Sequence, residues 1–320
     1  MGINRRGWLQ WPGRMAVPAR RFVADDGVVI STNSALFGIA LQLIALVLFV
    51  CMDTVFKLLT GHFAVAQLAW SRFFFSTLTV WLFFWLTSRG RVPWRSRAPG
   101  LQAARSLTLT GCTFFFSSAL VFLPLADTTA VNFAAPLLSV AAAALFLGEK
   151  VSPRRWLGVG LGLAGVMVAV RPPFITGEAA PHPAYLLPLG SAALFALYTI
   201  LTRQLAARDD PRTTILHTGL VATVVSSLAL PFVWIWPTPF EWLLLVTIGV
   251  IGGASHGLLV LAYARAPVSV LAPLSYSQLV WAGVAGWLVF ADLPDRWTLM
   301  GAAVIFCGGI LAVLPDRRRP

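Results

Sequence analysis

The sequence predicts an all-α integral membrane protein of ten transmembrane helices, arranged as two inverted five-helix repeats. Three observations lead there: apolar runs recur along the chain, Lys and Arg gather between alternate runs, and the second half echoes the first. Only 11% of the 320 residues are charged and 58% are hydrophobic, whereas a soluble domain carries about a quarter charged residues. The mean hydropathy is +0.79. Runs of about twenty apolar residues are long enough to cross ~30 Å of hydrocarbon. Barrel strands would alternate in character over about ten residues instead.

In chain order the expected spans are 35–58, 64–87, 101–122, 126–147, 156–170, 184–205, 213–234, 242–264, 268–290 and 297–314. The first carries Asp53 and Lys57, the second Arg72, the third Arg105 and the fourth Asn132 with Pro136. The fifth is short and glycine-rich. The sixth carries Tyr198 and Arg203, the seventh His217, the eighth His256, and the ninth Tyr276, Gln278 and Trp281. The expected organisation is a basic cytoplasmic tail over 1–34, a first repeat over 35–173 and a second over 183–315.

Orientation follows from the basic loops. Of the 24 Lys and Arg residues, 19 fall on one side of a ten-span arrangement. Short basic loops remain cytoplasmic, so both termini are expected there, in the inner (plasma) membrane. An odd number of spans would scatter these charges over both faces. The net charge of +12 is thereby a topology signal. Nucleic acid is not implied, since Lys and Arg do not form one basic face interleaved with aromatics. The tail lacks an apolar stretch followed by a small-residue cleavage site, so no cleaved signal peptide is expected. Cys51, Cys112 and Cys307 lie in separate apolar runs without metal-ligand spacing, so no metal, cofactor or disulfide is expected.

Leu145-Phe146-Leu147-Gly148-Glu149 followed by Trp156 is echoed by Leu288-Val289-Phe290-Ala291-Asp292 followed by Trp297. Similarly, Val55-Phe56-Lys57-Leu58-Leu59 is echoed by Leu201-Thr202-Arg203-Gln204-Leu205. Five spans per half turn the second copy upside down, which is a carrier architecture with its substrate near midplane.

Five segments in this order carry a family resemblance: Asp53-Thr54-Val55-Phe56-Lys57; Ser71-Arg72-Phe73; Ala126-Asp127-Thr128-Thr129-Ala130 through Pro136 to Leu147-Gly148-Glu149-Lys150; Tyr198 to Arg203; and Leu271-Ala272-Pro273-Leu274-Ser275-Tyr276-Ser277-Gln278-Leu279-Val280-Trp281-Ala282. Over nearly the whole chain after the tail, the sequence resembles the EamA-type branch of the drug/metabolite transporter superfamily. Within it, the nearest likeness is to S-adenosylmethionine or amphiphilic-metabolite permeases. The resemblance implies a ten-helix carrier of small metabolites with both ends in the cytoplasm. A small solute and the lipid bilayer are the expected partners, with a homodimer as the assembly considered.

Gly160-Leu161-Gly162-Leu163-Ala164-Gly165 fits a dinucleotide fingerprint in letters only. That motif needs a preceding strand, whereas here the glycines serve close helix packing. Ionisable residues at helix depth are costly and mark a pathway or a partner. Asp53 and Lys57, four apart, share a helix face, and Arg72 is expected at similar depth. Two readings stand: a structural salt-bridge cluster tying the first two helices together, with Lys57 snorkelling to the outer interface, or a gating, substrate or proton role, such as an outer gate. Tyr198, Arg203 and His217 are the corresponding inner cluster, with Arg203 equally readable as a positive-inside anchor. Asn132 and Tyr276, Gln278 and Trp281 line a midplane cavity or make interhelical hydrogen bonds. His256 is either proton-responsive or structural. A membrane enzyme acting on lipid, or a non-transporting scaffold, are the alternatives to a carrier that works by alternating access.

Overall fold

The computed structural model describes residues 21–23, 29–87, 94–147, 152–170, 182–206, 208–263, 265, 271 and 274–313. A two-stranded antiparallel hairpin, β1 (Arg21–Val23) and β2 (Val29–Ser31), precedes the bundle. The all-α expectation did not include it. Its signal is local: Phe22 and Val23 face Ile30 and Val29 across a sequence containing Asp26-Gly27, a hairpin dipeptide.

Helix then follows helix: α1 (Thr32–Leu59), α2 (Val65–Thr87), α3 (Pro99–Phe122), α4 (Leu125–Asn132), α5 (Ala134–Leu147) and α6 (Pro153–Val170). After a 3-10 turn at Pro183–Tyr185 come α7 (Leu186–Ala206), α8 (Pro211–Ser227), the one-turn α9 (Leu230–Val233), α10 (Pro239–Tyr263), α11 (Ser277–Phe290) and α12 (Arg296–Val313). Five stretches are long and apolar enough to cross a membrane by length and composition, in α1, in α3, across α4 and α5, in α7 and in α10. Shorter apolar helices lie at Trp156–Ala169, Thr213–Ser227, Ser277–Phe290 and Arg296–Leu311.

Among the described residues three expected spans are interrupted, the ninth by a turn at Tyr276 and the other two by one chemistry. Proline has no N–H for the carbonyl four residues back and its ring crowds that carbonyl. Pro136 stands four residues after Asn132, where α4 ends, and Pro231 stands four after Ser227, where α8 ends. The fourth span is therefore α4 plus α5, and the seventh is α8 plus α9. Helix starts are capped locally: the Thr238 amide donates to Glu241 Oε2 at 2.8 Å and the Glu241 amide to Thr238 Oγ1 at 3.4 Å, a capping box.

Packing pairs the helices across the two halves. α1 lies against α10 and α11, α7 against α3 and α5, α2 against α10 and α8, and α3 against α8. The most extensive contact is α6 with α12. Glycines make it. A Cβ on Gly165 would meet Gly301 O and Ile305 N at 2.7 Å, and one on Gly308 would meet Gly158 O at 2.6 Å. The glycine-rich fifth span is thus a packing seam, as its sequence suggests. The main apolar core joins α1, α2, α3 and α10 through Met52, Phe56, Leu68, Leu120, Leu245 and Ile248.

Both ends of the bundle are tied by polar contacts. At the end carrying the α1–α2 turn, Lys57 Nζ donates to Asp292 Oδ2 at 3.3 Å and to Leu123 O at 3.1 Å. There Tyr185 Oη donates to Asp127 Oδ2 at 2.6 Å, and Thr298 Oγ1 to Asp127 Oδ1 at 2.8 Å. Gln67 Nε2 donates to Ile235 O at 2.7 Å and Gln67 Oε1 accepts from the Ile235 amide at 2.9 Å, while His62 Nδ1 meets Glu241 Oε1 at 2.5 Å. At the opposite end, Asp209 accepts from Ser96 Oγ, from the Arg97 amide at 2.7 Å and from Gln102 Nε2 at 2.8 Å. This joins the segment before α3 to the turn between α7 and α8.

Desolvation opposes ionisation of Asp209, but the hydrogen bonds from Ser96, Arg97 and Gln102, with His217 nearby, outweigh it and hold the carboxyl below its ordinary value. A depressed carboxylate contributes stability above the unfolded-state value of about 3.9 and loses it as the pH falls through the folded-state value. Asp209→Asn is therefore expected to lower the Tm of the detergent-solubilised protein at neutral pH, and the gap to the unsubstituted protein is expected to close on acidification below that range. A pH-independent gap in scanning fluorimetry counts against this account. At the seam, Gly165→Leu is expected to cost about 1–3 kcal/mol or more by overpacking, read as a Tm drop of several degrees. Gly160→Ala, whose Cβ would meet nothing within 4 Å, leaves the Tm in place.

Candidate functional site

Charged and polar side chains converge in the interior from α1, α2, α3, α7, α8 and α10. Asp53 is buried at 6% exposure on α1 and lies within electrostatic range of Arg72 on α2. Arg72 is half-buried and also acts on Cys112 of α3 and His256 of α10. Among the described residues, no carboxylate lies within ion-pair distance of Arg72, since the ion pairs found are Lys57–Asp292 and His62–Glu241.

The expected triad therefore divides. Asp53 and Arg72 face one another, as their spacing suggests. Lys57 does not join them. It sits in the last turn of α1, where its long stem carries the ammonium past Phe290, 4.7 Å from the ring centre, to Asp292 beyond α11. Snorkelling toward a polar end is the favourable course for a lysine near a helix terminus, so the carboxylate Lys57 meets is Asp292 and not Asp53.

The second expected cluster divides as well. Tyr198 of α7 bonds Arg105, a residue of α3. His217 of α8 turns to the bundle end, with Nε2 2.9 Å from Trp94 O. Arg203 belongs to α7, but its side chain lies outside the described residues, as do Glu149 and Lys150.

Arg105 is the residue that sequence reasoning passed over. It is 5% exposed, and its three nitrogens each donate to a hydroxyl: Nε to Thr202 Oγ1 at 2.7 Å, Nη1 to Thr218 Oγ1 at 2.5 Å and Nη2 to Tyr198 Oη at 2.5 Å. The guanidinium also stands 4.4 Å from the Tyr198 ring centre, a cation–π distance. Thr202 and Thr218 spend their own protons on the carbonyls of Tyr198 and Thr214, at 2.7 Å each, so their lone pairs are aimed at Arg105. The signal was available, because Arg105 interrupts an apolar run as Arg72 does.

His256 has an exposed side chain, yet it points inward. It lies one turn beyond Gly252 and Gly253, whose missing side chains face Met52 of α1 and Ser76 and Thr79 of α2. Its ring meets Phe49 of α1 edge-on at 4.9 Å, and it feels both Arg72 and Arg105. Its exposure is to an interior space. Gln42 of α1 adds a polar contact on α1, donating to Leu271 O at 2.8 Å and Ser275 Oγ at 3.1 Å.

The remaining expected residues lie at the break between α4 and α5 and around the turn before α11. Asn132 ends α4, and its Oδ1 is buried without a hydrogen-bond partner. Tyr276 sits in the turn before α11, buried against Phe133 at 5.1 Å and Phe306 at 5.5 Å, and stacked over Gly309. It is packed in the core rather than open to a cavity, because the absent side chain of Gly309 makes room for it. Gln278 is half-buried and Trp281 exposed on α11.

The sequence profile of the EamA-like transporter family matches this chain twice, over residues 36–171 and 182–314. An S-adenosylmethionine uptake transporter of Rickettsia felis is 26% identical over 283 residues, 88% of this chain and 94% of the relative. A pseudopaline exporter of Pseudomonas aeruginosa is 27% identical over 279 residues, 84% of this chain and 93% of the relative. A riboflavin transporter of Vibrio cholerae is 32% identical over 186 residues, 57% of this chain and 60% of the relative. One solved crystal structure shares the fold with a TM-score of 0.61 at 23% identity, covering 88% of this chain and 96% of the other. With its interior charges, apolar helices and two successive family matches, the chain is a multi-pass membrane transporter and not an enzyme, and it belongs to the EamA-like transporter family.

Proposed function

We propose that this transporter is a secondary carrier of small, partly apolar metabolites that works by alternating access around the interior polar space, with no cofactor. The observation that carries the reading is the set of ionisable side chains enclosed by helices of both halves, Asp53 and Arg72 from the first and His256 from the second, between two ends that are each tied by polar contacts.

The two halves, 35–173 and 183–315, form inverted repeats of five spans each. Two family matches of nearly equal extent support this. So does the packing: exchanging each span for the one five later turns α1 against α10 into α7 against α3, and α2 against α10 into α8 against α3, while α2–α8 and α6–α12 map onto themselves. Rocking of such repeats about a midplane site is the carrier motion. In this picture Lys57, bound to Asp292 and Leu123, closes one entrance. The Asp209 contacts with Ser96, Arg97 and Gln102 close the other. The basic-loop asymmetry puts the Asp209 end and both termini in the cytoplasm, with the protein in the inner membrane.

Counterflow in proteoliposomes tests the reading, with S-adenosylmethionine, riboflavin and aromatic amino acids as solutes. Flux of one solute is expected, falling at least tenfold in Asp53→Asn with an unchanged gel-filtration profile. Equal flux in Asp53→Asn removes that residue from the working cycle. A lack of exchange with every solute overturns the proposed substrate class.

A further inference from the structure

We infer that Arg105, with Tyr198 and His256, forms a carboxylate-binding subsite inside the bundle, and that the carried solute joins a carboxylate to an aromatic or apolar body. This rests on the carrier reading above and names its substrate class.

The argument starts from charge. A buried guanidinium is ordinarily met by a carboxylate, because an unpaired charge out of water is costly. Arg105 is met by three neutral hydroxyls, from Thr202, Thr218 and Tyr198, and among the described residues no carboxylate lies within ion-pair distance of it. Arg72 stands nearby in the same interior, with Asp53 as its opposite charge at longer range. Two guanidinium groups against one carboxylate leave the enclosed space positive. That field favours an entering anion and opposes a cation.

The donors left over match an oxyanion. A guanidinium has five N–H groups, and the three hydroxyls engage one on each nitrogen. One N–H therefore remains on each terminal nitrogen, the pair that a carboxylate takes in bidentate contact. Both threonine hydroxyls are committed to backbone carbonyls, which fixes the fork without occupying its remaining donors. Tyr198 accepts from Arg105 and keeps its own proton to donate.

Access comes from His256, whose exposed ring points inward and is felt by both Arg72 and Arg105. Both guanidinium groups thus act on one exposed ring. Aromatic rings adjoin the subsite: Phe49 against His256 at 4.9 Å and Phe195 against Tyr198 at 5.5 Å. In the proposed subsite an apolar body lies against these rings while its carboxylate reaches Arg105.

Three compounds of one shape and different charge test this: phenylacetate, phenylacetamide and phenethylamine, titrated into the full-length detergent-solubilised protein by equilibrium binding with radiolabel. Phenylacetate is expected to bind saturably and at least tenfold more tightly than phenylacetamide, with phenethylamine weaker still. Arg105→Gln is expected to abolish the preference for the carboxylate over the amide, and Arg105→Lys to keep part of it. His256→Gln, which leaves the Arg105 contacts in place, is expected to weaken all three compounds without changing their order. Tightest binding by the amine, no binding by any of the three, or an unchanged order in a folded Arg105→Gln protein overturns the subsite. Counterflow separates the two readings. Flux of a solute lacking a carboxylate, undisturbed by Arg105→Gln, leaves the carrier standing and removes the subsite. Carboxylate binding without flux of any solute, phenylacetate included, does the reverse.

Discussion

A positive charge carried into the middle of an apolar bundle has to be met by protein, and the way Arg105 is met organises three helices. Its planar fork reaches Tyr198 and Thr202 on α7 and Thr218 on α8 while its backbone belongs to α3. Both threonine hydroxyls are in turn oriented by a helix backbone. The register of α3 against α7 and α8 is thereby specified by direction, which apolar contact alone does not do. Gln102, one turn earlier on α3, extends the same side toward Thr214 at 3.1 Å and Asp209. A single face of α3 is thus polar from its first turn inward.

The bilayer imposes the second constraint, that backbone groups be satisfied inside the protein. Helices satisfy it for most of the chain, and the departures coincide with proline. Pro136 frees the Asn132 carbonyl region, and the Asn132 side-chain oxygen beside it is itself unpartnered. The Phe133 amide is shared between the carbonyls of Thr129 and Ala130, at 3.1 and 3.2 Å. Ser and Thr side chains along α2, α3, α7, α8 and α10 return their protons to carbonyls four residues back, as Thr77, Ser106, Thr199, Ser226 and Ser255 do. They bring hydroxyl oxygens into the interior without leaving donors orphaned.

Much of this was written plainly in the chain. The apolar runs located most of the helices to within a few residues, since hydropathy reports burial in lipid or protein alike, but not the breaks in the fourth and seventh spans or the start of α11 at Ser277. Gly162, Gly165, Gly301, Gly308 and Gly309 read correctly as packing positions, whereas Gly160 faces open space. What the sequence left hidden was pairing over distance. Asp53 and Lys57 share a helix face, so spacing joined them, but whether a long side chain turns inward or outward depends on Asp292, over two hundred residues away. Arg105 was as conspicuous as Arg72, yet its partners are hydroxyls, which carry no charge pattern to search for. Tyr276 had the composition of a cavity residue, and only its register against Gly309 made it part of the core.

The contact between α6 and α12 is the most extensive among the described helices, and, as where Gly249 of α10 meets Ser71 and Phe75 of α2, it brings backbone close to a neighbouring helix. Gly165 and Gly301 abut main chain against main chain, and Gly308 rests on the backbone of Gly158 and Gly162. Side chains tolerate displacement by changing rotamer, but two backbones in contact have nothing to rearrange. The last spans of the two halves are therefore clamped as one unit. In the carrier proposed above, that seam is the fulcrum, where there is no slack.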